Sequence, residues 1–188
     1  DSINKRVGGQ LGAYKDALKI AKDSRDPALQ CQALIGLGNA RCEDRDYPAR
    51  DSINKRVGGQ LGAYKDALII AKDQLENLNL QCQALIGLGN ARCTGRDYRG
   101  GNIGAYKDTL AIAQTINDPN LQCQALIGLG NARCTDNGGQ VGYYKDALKI
   151  AKDIGDPALQ CQALIGLGSA RCPDNGGQVG YYRDALKI

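Results

Sequence analysis

The 188-residue sequence contains no His, Met, Trp or Phe, and all its aromatic residues are Tyr, nine in number. Without His there is no Ser-His-Asp or Cys-His pair and no His-ligated metal site. Most nucleophilic and metal-assisted chemistry is thereby excluded, so neither an enzyme nor a cofactor is expected. Lys and Arg number 24 against 20 Asp and Glu, a net charge of +4. That excess is too small to point to a nucleic-acid partner. No apolar run approaches the ~20 residues of a membrane span, so no membrane insertion is expected. Hydrophobic residues at 43% and charged residues at 23% fit a folded chain and argue against a disordered one.

What is present is a repeat. The segment CQALIGLG starts at Cys31, Cys82, Cys123 and Cys161. A second segment, Tyr-(Lys/Arg)-Asp-(Ala/Thr)-Leu, starts at Tyr14, Tyr64, Tyr106, Tyr144 and Tyr182. From each Tyr to the next of these Cys is 17, 18, 17 and 17 residues. From the second Cys of each unit (Cys42, Cys93, Cys134, Cys172) to the next Tyr is 22, 13, 10 and 10. One connection is constant and the other absorbs the length variation, as expected of a packed hairpin joined by tolerant loops. Residues 1–18 are identical to 51–68, which reads as a copied module.

Both segments read as helices. Leu11, Tyr14, Leu18 and Ala21 follow steps of three and four, an apolar stripe with Lys15, Asp16, Lys19 and Lys22 opposite. Asp26-Pro27, Asp118-Pro119 and Asp156-Pro157 supply an N-cap and a first helical residue. Gly36 and Gly38 each lower helix propensity by ~1 kcal/mol. Their recurrence predicts a close helix approach in which a Cβ would clash. A strand around LIGLG is opposed by the flanking helix signals. The expectation is an all-α chain of nine helices at about 8–23, 28–42, 58–73, 79–93, 103–115, 120–134, 139–153, 158–172 and 177–188, with variable loops at 43–57 and 94–102. Tyr-bearing helices (B) alternate with Cys-bearing helices (A). Neither buries its stripe alone, so stacked neighbours must form the core.

These residues carry a family resemblance. Leu37-Gly38-Asn39-Ala40, then Arg45-Asp46-Tyr47, then Ala-Leu-x-Ile-Ala as at 17–21 resembles a tetratricopeptide repeat. The long period resembles the variety in the LGN/Pins polarity proteins and kinesin light chains. The resemblance implies a single right-handed α-solenoid of stacked antiparallel helix pairs over residues 1–188. It departs where Arg41, Arg92, Arg133 and Arg171 replace the family's late aromatic, and where Gly-rich turns replace the small Ala that opens helix B.

Several candidate sites follow. In the resembled family the Asn of helix A lines a concave groove and bonds the backbone of a bound peptide. Asn39, Asn90, Asn131 and Ser169 stand there, with Gln32, Gln83, Gln124 and Gln162 two turns earlier on the same face. Arg41, Arg92, Arg133 and Arg171 add charge for an acidic peptide. The bland reading is Arg lying along the stripe and Asn capping local backbone. Cys31, Cys42, Cys82, Cys93, Cys123, Cys134, Cys161 and Cys172 read as buried thiols, with inter-repeat disulfides as the alternative. Metal binding is disfavoured by the lack of any CxxC. Taken as one helix, 31 to 42 spans about 16 Å, too far for a disulfide. Gly36-x-Gly38 resembles half a nucleotide fingerprint but lacks a preceding strand. The GlyGlyGln turns (8–10, 58–60, 138–140, 176–178) read as helix starts. Tyr143 and Tyr181 replace Ala13, Ala63 and Ala105, either filling space or serving as assembly contacts.

The functional expectation is a non-enzymatic scaffold binding protein or peptide through its A-helix face. The alternative is a structural subunit that adds copies of itself end to end into a fibre. A cytoplasmic site would go with thiols and an extracellular one with the fibre, and the sequence leaves the compartment open.

Overall fold

The computed structural model describes residues 9–53 and 55–188. Gly8, the first residue of the helix predicted over 8–23, lies outside them. Among the described residues there are nine α-helices and no strand. They are α1 (Gly9–Asp23), α2 (Pro27–Asn39), α3 (Gly59–Ile69), α4 (Leu78–Asn90), α5 (Gly101–Thr115), α6 (Pro119–Asn131), α7 (Gly139–Asp153), α8 (Pro157–Ser169) and α9 (Gly177–Ala185). The chain divides into two compact units, Asp1–Cys93 and Thr94–Ile188. Within each unit every helix packs on its sequence neighbours, and the A helices also pack on each other, α2 on α4 and α6 on α8. That is the all-helical repeat architecture expected from the alternating segments.

The constant connection is built on one side chain. Arg25 adopts φ 55°, which turns the chain, and the Asp26 N–H donates back to the Ala21 carbonyl at 3.0 Å. The Asp26 carboxylate then accepts from the Ala28 and Leu29 amides at 2.9 and 3.0 Å. One residue thus closes α1 and opens α2, with Pro27 at the first helical position. Asp118 and Asp156 do the same. The second copy has Asn77 in this role, accepting from Leu80 N at 3.0 Å. Its extra residue is absorbed as a π turn, Ile70–Gln74, at the end of α3.

The A helices stop three residues earlier than the sequence reading placed them. Arg41, Arg92, Arg133 and Arg171 are left-handed, with φ of 53–56°. The Cys42 amide donates to Leu37 O at 3.2 Å and the Arg41 amide to Gly38 O at 3.0 Å. This is the Schellman closure, in which the residue after the turn packs back on the last helical turn. Cys42 is that residue and is buried. The same pattern recurs at Cys93, Cys134 and Cys172. The two Cys of each unit therefore do not share a helix, and the 16 Å through-helix spacing is withdrawn.

The core follows from the two glycines of each A helix. A Cβ at Gly36 would overlap the Tyr14 ring, and one at Gly38 would lie 2.5 Å from Tyr64 Cε1. Tyr64 is therefore clasped between Gly38 of α2 and Gly87 of α4. Tyr144 is held in the same way between Gly130 and Gly166. The expected close approach is real, and its partner is a tyrosine ring rather than a helix backbone.

Candidate functional site

The twelve polar residues singled out on the A helices are all exposed: Gln32, Asn39 and Arg41, Gln83, Asn90 and Arg92, Gln124, Asn131 and Arg133, and Gln162, Ser169 and Arg171. Within unit 1 the first six lie on or just after α2 and α4. Within unit 2 the other six lie on or just after α6 and α8. The Arg residues stand in the left-handed turn beyond each helix, so they do not lie along the apolar stripe.

The Asn side chains are held. Tyr64 donates its hydroxyl to Asn39 Oδ1 at 2.8 Å, and Tyr144 to Asn131 Oδ1 at 2.8 Å. Ser169 and Tyr182 share a hydrogen bond of 3.1 Å. Each clasped ring thus ends in a hydroxyl that fixes the carboxamide of the preceding A helix. The carbonyl oxygen is engaged by tyrosine, which turns the NH₂ end of the amide into the available donor. The neighbouring turn is fixed too. Gln60 Nε2 donates to Gly38 O at 2.9 Å and Gln140 Nε2 to Gly130 O at 3.0 Å. The GlyGlyGln turns therefore cap A-helix carbonyls.

The repeated Asp of helix B has a role that sequence reasoning missed. Asp66 is fully buried and accepts from Tyr47 Oη at 2.5 Å, Ser52 Oγ at 3.0 Å and the Ile53 amide at 2.7 Å. Asp108 accepts from Tyr98 Oη at 2.6 Å. Asp146 and Asp184 accept from the side-chain amides of Asn137 and Asn175 at 2.7 and 2.8 Å. Each carboxylate anchors the loop that precedes its helix. A signal was present: a fixed Asp followed by loops that offer either Tyr or Asn.

Tyr143 and Tyr181 belong to the same arrangement. They are 5% and 6% exposed, and their hydroxyls lie 3.4 Å from Cys134 and Cys172 Sγ. Where the loop brings in Tyr47 or Tyr98, the helix has Ala63 or Ala105, both fully buried. Where the loop has only Asn137 or Asn175, the helix supplies the ring. Of the two sequence readings for Tyr143 and Tyr181, their placement supports space filling and leaves no accessible ring for an assembly contact. Burial, then Asp66, pushes the Tyr47 hydroxyl well above its ordinary range.

The cysteines are all thiols. Cys31 Sγ reaches Ala67 O at 3.3 Å and Cys123 Sγ reaches Ala147 O at 3.3 Å. Burial raises both to about 11, which keeps them protonated and poorly nucleophilic at neutral pH. The sign is that of an acid raised on folding. Its contribution is complete below the unfolded thiol value near 9 and is lost as pH rises toward 11. Among the described residues no group of His, Cys, Asp and Glu could hold a metal ion. No helix is long and apolar enough to cross a membrane. Exposed pairs such as Lys15–Asp46 at 2.8 Å contribute little.

The chain matches no protein-family model and no curated protein.

Proposed function

We propose that the chain is a non-enzymatic scaffold of tetratricopeptide type that binds a protein segment along the exposed A-helix face. The supporting observation is the repeated Tyr–Asn hydrogen bond, which orients an exposed amide at the same place in both units. A fixed donor loses little freedom on binding, so a peptide carbonyl meets it at reduced entropic expense. Arg41 and Arg92 in unit 1, and Arg133 and Arg171 in unit 2, favour acidic residues beside those amides. The test is selection of random twelve-residue peptides displayed on phage, against the whole chain and against an Asn39→Ala/Asn90→Ala variant. Acidic sequences should be enriched on the wild type and retained about tenfold less by the variant. Equal retention on both proteins would overturn the reading.

A second reading, self-assembly into a fibre, rests on α1. Ala13, Ala17 and Ile20 are exposed, yet their counterparts in α3, Ala63, Ala67 and Ile70, are 0%, 0% and 1% exposed. The α1 face therefore suits an A helix, and one supplied by another copy would form a contact that repeats without closing. Electron micrographs of the purified chain decide this. Fibres with a regular axial repeat support assembly, and discrete particles at all concentrations rule it out.

A further inference from the structure

A groove on the B-helix side of unit 2 is open where its counterpart in unit 1 is filled by the chain itself. In unit 1, Leu18, Leu34 and Ile70 are 7%, 2% and 1% exposed and pack in one cluster with Tyr47. Over them runs a 3₁₀ turn, Ala49–Asp51, followed by extended Ser52. The Ser52 hydroxyl and the Ile53 amide both donate to Asp66, which has no exposed surface. The hollow that remains, between α1 and this segment, is about 290 Å³.

The counterparts in unit 2 are Leu110, Leu126, Ile150 and Asp146, and they line a groove of about 630 Å³. Leu110 and Ile150 are partly exposed and Asp146 is exposed. Tyr143 stands in for the Tyr47 ring and Asn137 for its hydrogen bond. Nothing stands in for residues 48–53. Asp146 Oδ2 accepts from Asn137 at 2.7 Å, and Oδ1 has no partner among the described residues. What the groove lacks, by comparison with unit 1, is a small-residue turn over its leucines and two donors for one carboxylate.

We propose that this groove docks a short segment of a partner protein with the chemistry of residues 48–53: a turn of small residues, then an extended Ser whose hydroxyl and following N–H donate to Asp146. A carboxylate that accepts both a hydroxyl and a backbone N–H makes charge-assisted bonds, stronger than neutral ones. A second copy is not the occupant, because its own segment 48–53 is held by its Asp66. The site is on a different face from the Asn, Gln and Arg rows, so it stands or falls separately from them.

The test uses the whole chain, labelled with nitrogen-15, and the synthetic peptide acetyl-ProAlaArgAspSerIle-amide. Saturable shifts are expected at the amides around Leu110, Asn137, Asp146 and Ile150. Replacing the peptide Ser by Ala should weaken binding about tenfold, as should Asp146→Ala in the protein. The peptide variant leaves the protein intact, so a folding defect in Asp146→Ala cannot decide the outcome. Equal binding of the Ser and Ala peptides, shifts centred on Asn131 or Ser169, or no saturable shift at millimolar peptide would each overturn the proposal.

Discussion

Asp66→Ala is expected to destabilise unit 1 by about 3 kcal/mol and to release residues 43–58 as a protease-sensitive loop. The carboxylate has no exposed surface, and the Tyr47 hydroxyl, the Ser52 hydroxyl and the Ile53 amide all donate to it. Removing the acceptor leaves these donors to find water by opening the loop. Net hydrogen bonds to a charged group are worth ~1.5–3 kcal/mol each, but the freed loop recovers much of this through hydration. Trypsin should then cut at Arg45, Arg50, Lys55 or Arg56 at least tenfold faster than in the wild type, with a lower urea midpoint. Asp184→Ala is the control. Its side chain is 40% exposed, and its loss should cost under ~1 kcal/mol. Equal effects at the two positions would show that burial of Asp66 is not what holds the loop.

Gly87→Ala is expected to destabilise by about 2 kcal/mol, against the usual sign of a helical Gly→Ala change. Helix propensity alone would favour Ala by ~1 kcal/mol. The new Cβ, however, falls inside the Tyr64 ring. That ring has no free side to move toward, because Gly38 of α2 closes it from the other face and Asn39 holds its hydroxyl. Overpacking of this kind costs ~1–3 kcal/mol, occasionally more, and here it must exceed the propensity gain. A double-mutant cycle with Tyr64→Ala reads the interaction directly by urea denaturation. The two changes should be strongly non-additive, since removing the ring removes the clash. Additive losses would mean that Gly87 is set by something other than Tyr64.

Much of this architecture was legible in the repeat. The alternation of two helical stripes, the Asp-Pro junctions and the twin glycines each carry a local physical signal, and each acts as that signal implies. The helix ends were harder to read. Arg41 and its counterparts occupy a left-handed turn where Gly is the usual residue, so the sequence continued to look helical as far as Cys42. The Asp66 family was missed for another reason. On a helical wheel such an Asp sits among Lys and other polar residues and looks solvated, whereas its partners lie in loops ten or more positions away. The exposed Asn, Gln and Arg rows were legible as a pattern. The Tyr hydroxyl that fixes each amide was not, because it comes from the following helix.

The exchange of rings between loop and helix has an evolutionary consequence. Tyr47 and Tyr98 precede helices with Ala63 and Ala105, while Asn137 and Asn175 precede helices with Tyr143 and Tyr181. Two kinds of joint therefore exist, and they are not interchangeable. Duplication or recombination that joined a tyrosine-bearing loop to a helix with its own tyrosine would place two rings in one space. The reverse join would leave a hole the size of a phenol. Lineages that gain or lose repeats should therefore carry each loop together with the helix after it, so that the heritable module runs from one Cys turn through the following Tyr helix and breaks within the conserved hairpin.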